Sequence, residues 1–91
     1  MSAPRATPQE MEARLRAALN PSQIAITDDS HLHAGHAGAR EGGHYTLDIV
    51  SAGFTGLHRV ARHRLVYDAL GDLMQRGIHA LAIRAKAPDE P

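Results

Sequence analysis

The chain has 91 residues, 43% hydrophobic and 22% charged, which suits one globular domain and excludes both a second domain and a disordered chain. Ten Lys and Arg balance ten Asp and Glu, so no broad positive field marks a general nucleic-acid binder. Cysteine is absent, which excludes disulfides and leaves any metal chemistry to imidazole and oxygen donors, and no run approaches the roughly 20 apolar residues of a membrane-spanning helix.

Met1 to Thr7 carries one Arg and no apolar run, so it is not expected to be a secretory signal, and the cytoplasm is the expected compartment. Thr7-Pro8-Gln9-Glu10 then places Thr at an N-cap, Pro at the first helical position and Glu at the third. Met11, Leu15, Ala18 and Leu19 follow at helical spacing, and Asn20-Pro21 ends the helix. Gln23 to Thr27 alternates, with Ile24 and Ile26 on one side, and predicts a short strand. Asp28 to Gly43 is rich in Gly, Ala and His and has no core-forming pattern. Sixteen residues is long for a connection in so small a domain, and long loops tend to be functional or mobile.

His44 to Ser51 alternates again, with Tyr45, Leu47 and Ile49 on one face. Gly53-Phe54-Thr55-Gly56 is a turn. A helical region is expected from about Leu57 to Gln75, with Val66, Ala69, Leu70, Leu73 and Met74 forming its apolar face. A break within Leu57 to Arg62 would make two helices of it. Arg76 and Gly77 form the stop, and Ile78 to Lys86 is the third strand, with His79, Leu81 and Ile83 on one face. Ala87 to Pro91 is expected to be a frayed polar tail. The domain is thus expected to span residues 7–87, with a disordered tail at 1–6 and a polar tail at 88–91. The order α-β-β-α-α-β fits an α+β domain: a three-stranded mixed sheet covered by helices on one face, the layout of the type II KH fold.

Seven histidines are the unusual feature of the composition. His31, His33 and His36 lie in a stretch of small residues, so their imidazoles could converge on one metal, or could equally form a solvated polar loop. His79 follows the Gly77 turn at the start of a strand, where His is either a ligand or a hydrogen-bonded structural residue, and His44 opens its own strand in the same way. Arg59, Arg62, His63 and Arg64 cluster near a helix start and could contact phosphates or form a solvated face. Gly53 and Gly56 match the bare spacing of the KH backbone-clamping loop, but follow a strand where that loop joins two helices. Ser30 and Ser51 lack nucleophile context, and Asp28 and Asp29 suit turn capping, so the chain is expected to bind rather than catalyse and to have no small-molecule substrate.

Together these segments resemble the BolA family. The matching stretches are Asp28-Asp-Ser-His-Leu-His-Ala-Gly-His-Ala-Gly38, His44-Tyr-Thr-Leu-Asp-Ile-Val-Ser51, Phe54-Thr-Gly56, Arg62-His-Arg-Leu-Val-Tyr67 and Gly77-Ile-His-Ala-Leu-Ala-Ile-Arg-Ala-Lys86, across about Pro8 to Pro88. The resemblance implies a KH-like fold and partnership with a monothiol glutaredoxin around a bridging [2Fe-2S] cluster. In such pairs the glutaredoxin supplies a cysteine and a glutathione thiol. The BolA-like side supplies the His of Gly-Ile-His-Ala-Leu, here His79, and a ligand three residues past the loop Ser, here His33, with His36 and His31 as loop alternatives. No cofactor is expected on the isolated chain, since thiolates are the usual cluster ligands and two imidazoles only complete a partner's set, as in Rieske-type centres. The family is also linked to transcriptional regulation, which makes DNA the alternative partner, through Arg59, Arg62, His63 and Arg64.

Overall fold

In the computed structural model, which describes residues 5–30 and 43–91, Thr7 caps helix α1 (Pro8–Leu19). Thr7 Oγ1 accepts the Glu10 N–H at 3.1 Å and Glu10 Oε1 accepts the Thr7 N–H at 3.2 Å, which completes the expected capping box. The helix stops where Asn20 turns left-handed (φ 43°) and its N–H bonds to the Arg16 carbonyl. Met11 and Leu15, one turn apart, are fully buried.

Three strands follow, β1 (Gln23–Asp28), β2 (Gly43–Val50) and β3 (Ile78–Lys86), in the sheet order β1-β2-β3. β1 runs antiparallel to β2, and β3 runs parallel to it. A parallel neighbour needs a crossover. The chain supplies it with a 3₁₀ turn (Ala52–Phe54), helix α2 (Arg59–Leu70) and a second 3₁₀ turn (Gly71–Gln75).

The alternation expected for β2 is strict: Tyr45, Leu47 and Ile49 are buried, and His44, Thr46, Asp48 and Val50 face the other way. Ile24 and Ile26 from β1 and Leu81, Ile83 and Ala85 from β3 extend the buried face, against Met11, Leu15, Phe54, Val66, Leu70 and Leu73. The fold is therefore the expected α+β arrangement, a mixed sheet with α1 and α2 on one face. Ser51, the buried polar residue of this region, holds the layers together: its Oγ donates to the Leu19 carbonyl at 2.6 Å and accepts the Gly53 N–H at 3.1 Å.

Three expectations need correction. The second helix does not run to Gln75, and its break is not within Leu57 to Arg62. It ends at Gly71, whose positive φ of 54° the helix cannot continue, and a 3₁₀ turn carries Leu73 into the core instead of a further α-helix. Nor is the polar end frayed, because Glu90 grips Arg62 through both carboxylate oxygens and accepts the Ala87 N–H at 2.7 Å. The third concerns His79.

Candidate functional site

Alternation back from Ile83 and Leu81 puts His79 on the buried face. The structure places Ile78 there instead, 8% exposed, while His79 is exposed. The cause is the register. Gly43 aligns with Ile78 but His44 aligns with Ala80, so β3 spends an extra residue, His79, in a bulge. A bulge re-aims a side chain that regular pleating would bury. Gly77 enables the entry with φ 91°, a region that side-chain-bearing residues rarely adopt.

The bulge brings the His79 ring to that of His44, with centroids 5.1 Å apart and planes tilted by 54°. His44 is held by its backbone on both sides. Its N–H bonds to Ser30 Oγ at 3.0 Å and its carbonyl accepts the Asp29 N–H at 2.7 Å. Ser30 is in turn fixed by Asp28, whose Oδ1 accepts the Ser30 N–H at 2.9 Å, the turn-capping role expected of this acidic pair. On the far side of the loop, the Gly43 N–H bonds to the Gly77 carbonyl at 2.7 Å. Both ends of the 31–42 segment are thus stitched beside the start of β3. His31, His33 and His36 themselves lie outside the described residues. Among the described residues no group of three or more His, Cys, Asp or Glu is placed to hold a metal ion.

The arginine cluster divides. Arg59 and Arg64 are exposed on α2, and His63 is half-buried. Arg62 is turned inward: Nε donates to the Leu57 carbonyl at 2.8 Å, Nη1 to the Ala85 carbonyl at 3.0 Å, and both terminal nitrogens meet Glu90. The Arg62 fork, the Ala87 N–H and the charge of Lys86 hold the Glu90 carboxyl down at about 2. Gly53 lies in a 3₁₀ turn and Gly56 in the turn after it, so the glycine pair links β2 to α2 through a single short turn.

Residues 15–90 match the family model described as BolA-like protein. The chain belongs to the BolA-like family. A curated relative, the chloroplastic protein BOLA1 of Arabidopsis thaliana, is 43% identical over 84 residues, which cover 88% of this chain and 52% of that protein. The chain thus spans about half the length of that relative. The DNA-binding transcriptional regulator BolA of Haemophilus influenzae is 34% identical over 82 residues, covering 90% of this chain and 78% of that one. Among solved structures, BolA1 from Arabidopsis thaliana superposes with a TM-score of 0.80 at 40% identity, covering 98% of this chain and 100% of that one. The KH-like layout expected from the sequence is consistent with this likeness.

Two features of this BolA-like chain could not be placed from its sequence. His44 could be read as a ligand or as a structural strand opener, and only the bulge in β3 brings His79 against it. Glu90 sat in an apparent tail, and the signal that could have found it is the acidic pair Asp89-Glu90 set against the cations Arg59, Arg62 and Arg64 at a helix start. Among the described residues, no helix is long and apolar enough to cross a membrane.

Proposed function

We propose that this BolA-like chain is a non-catalytic adaptor that binds a monothiol glutaredoxin and completes the ligation of a bridging [2Fe-2S] cluster, for cluster trafficking or iron and redox signalling. The observation that supports it is the exposed imidazole of His79, lifted from the sheet by a bulge beside the two anchors of the histidine-bearing loop. The donor chemistry fits. A chain with no cysteine suits a group whose thiolates come from the partner. His79 and a loop histidine, His33 with His36 and His31 as alternatives, would complete the set. When bound, the cluster supplies one-electron chemistry or is itself the cargo. The chain's own work is to hold His79 outward, to fix the loop ends through Ser30 and Gly43, and to keep the ring oriented against His44.

The test mixes the chain with a monothiol glutaredoxin and glutathione under cluster-reconstituting conditions and records absorption and circular dichroism in the visible range. A spectrum distinct from that of the glutaredoxin alone, lost in His79→Ala, is expected. A spectrum that the chain leaves unchanged sinks the proposal.

A second reading, a DNA-binding regulator, is favoured by the exposure of Arg59 and Arg64 and by the name of the Haemophilus relative. Each phosphate contact steepens the fall of log affinity with log salt by about 0.9. Arg62 is engaged by Glu90, so Arg59 and Arg64 would give a slope near −1.8, and neutralising them would flatten it. A salt-insensitive affinity, or none, removes this reading.

A further inference from the structure

A groove of about 680 Å³ opens between the start of α2, the end of β3 and the terminal turn. Leu57, Ile83 and Ala85 give it apolar walls, and Arg59, Arg62 and Lys86 bring positive charge to it. Arg84 also lines it but leans toward Asp48, 3.5 Å away. Among the described residues lining the groove, Glu90 supplies the side-chain carboxylate, and Pro91 lines it beside Glu90.

The Arg62 guanidinium does not depend on Glu90 for its position. The Leu57 and Ala85 carbonyls fix its Nε and Nη1, so the fork stays aimed into the groove whether or not a carboxylate fills it. Glu90 then sits on that fork bidentately, and its Oε1 takes the Ala87 N–H as well. Arg62 is 13% exposed and Glu90 38%, so the fork belongs to the protein wall and the carboxylate to its mouth. This is how an arginine receives an oxyanion.

One carboxylate is less than the groove can take. Arg59 and Lys86 line the same space; among the described residues no close ion pair reaches either, and Lys86 acts on Glu90 only at longer range. Asp89 adds only a weak, longer-range attraction to Arg62.

We infer that the Arg62 fork and the Ala87 N–H form an oxyanion site in which Glu90 is a displaceable resident. Its external ligand is the terminal phosphate of a small molecule whose apolar part rests on Leu57 and Ile83. A phosphate monoester carries about −1.5 to −2 charge and three acceptor oxygens, enough for the fork, the N–H and the two rim cations together. The volume falls within the roughly 300–1,000 Å³ of small-ligand sites. Glu90 competes from within the chain at an effective concentration on the order of millimolar, so binding to the native chain is weak and removing its charge strengthens it. This site is independent of the cluster proposal, being built from α2, β3 and the terminal turn rather than from His79.

The test follows the arginine side-chain N–H signals of the full chain by NMR while inorganic pyrophosphate is added. The Arg62 signal is expected to shift and saturate in the native chain. Glu90→Gln should bind at least fivefold tighter. Glu90→Asp, one methylene shorter but still charged, should fall between the two, and Arg59→Ala with Lys86→Ala in the Glu90→Gln background should lose at least tenfold. Equal affinity of the native and Glu90→Gln chains, or an Arg62 signal that never moves, overturns the inference. So does a shift of Arg62 produced by a short DNA duplex and not by pyrophosphate, which would assign the groove to nucleic-acid backbone.

Discussion

His79 owes its exposure to the bulge at the start of β3, and Ile78 rather than His79 fills the core at that point. Truncating the imidazole therefore removes its contact with the His44 ring and leaves the core packing of Ile78 in place. His79→Ala should change unfolding free energy by about 0.5 kcal/mol or less, the usual range for exposed substitutions, while abolishing the chain's contribution to a glutaredoxin-shared spectrum. Thermal melts of the isolated chain beside spectra of the mixture check this. A large melting shift with the spectrum intact would make His79 a structural residue. The acidic side chains give a second expectation. Hydrogen bonds from Arg76, Arg14 and Arg62 hold Glu10, Asp72 and Glu90 respectively below their ordinary values. A carboxyl depressed in the folded state stabilises it fully above the ordinary value, near 4.5 for Glu, and loses that stabilisation as pH falls toward the folded value, about 2 for Glu90. Urea midpoints should drop between pH 5 and pH 2, and Glu90→Gln should shrink that drop. An unchanged drop in Glu90→Gln would mean that the Arg62 pair contributes nothing in solution.

The joints between elements rest on two small residues. Gly77 takes φ 91° at the entry to β3, and a Cβ there would meet Arg5 Cγ at 2.6 Å. Gly77→Ala should cost about 1–2 kcal/mol for the left-handed backbone alone, and more for displacing Arg5. Because the Gly77 carbonyl also receives the Gly43 N–H, the substitution should speed amide exchange at Gly43, and unaltered exchange there would uncouple the loop anchor from the bulge. Ser51→Ala leaves the half-buried Leu19 carbonyl without its 2.6 Å donor, a loss of about 1 kcal/mol by chemical denaturation. What the sequence disclosed about these elements divides along the same line. The Thr7–Glu10 capping box, the Ile24 and Ile26 stripe and the alternation of Tyr45, Leu47 and Ile49 depend on neighbours a few positions away, and they were legible. The bulge depends on how β3 registers against β2 across the crossover, the Arg62–Glu90 grip spans 28 positions, and the stop at Gly71 depends on one backbone angle. Periodicity carries none of that information, so alternation placed His79 on the wrong face, and its ligand role entered only as what the family resemblance implies.

Across the molecule, the candidate ligand site and the oxyanion groove share β3: its first residues present His79, and its last ones line the groove with Lys86 and Ala85. Both also depend on the parallel pairing of β2 with β3, from Gly43 opposite Ile78 to Val50 opposite Lys86. That pairing forms only after the whole α2 crossover has closed, and contacts between such distant segments form slowly because the loop entropy must be met first. The His44–His79 ring contact is therefore a signature of completed topology. A chain with α1, β1 and β2 in place but β3 undocked lacks that contact. Under the cluster proposal it would also lack the bulge that holds His79 outward, so loss of β3 pairing and loss of the shared spectrum should go together.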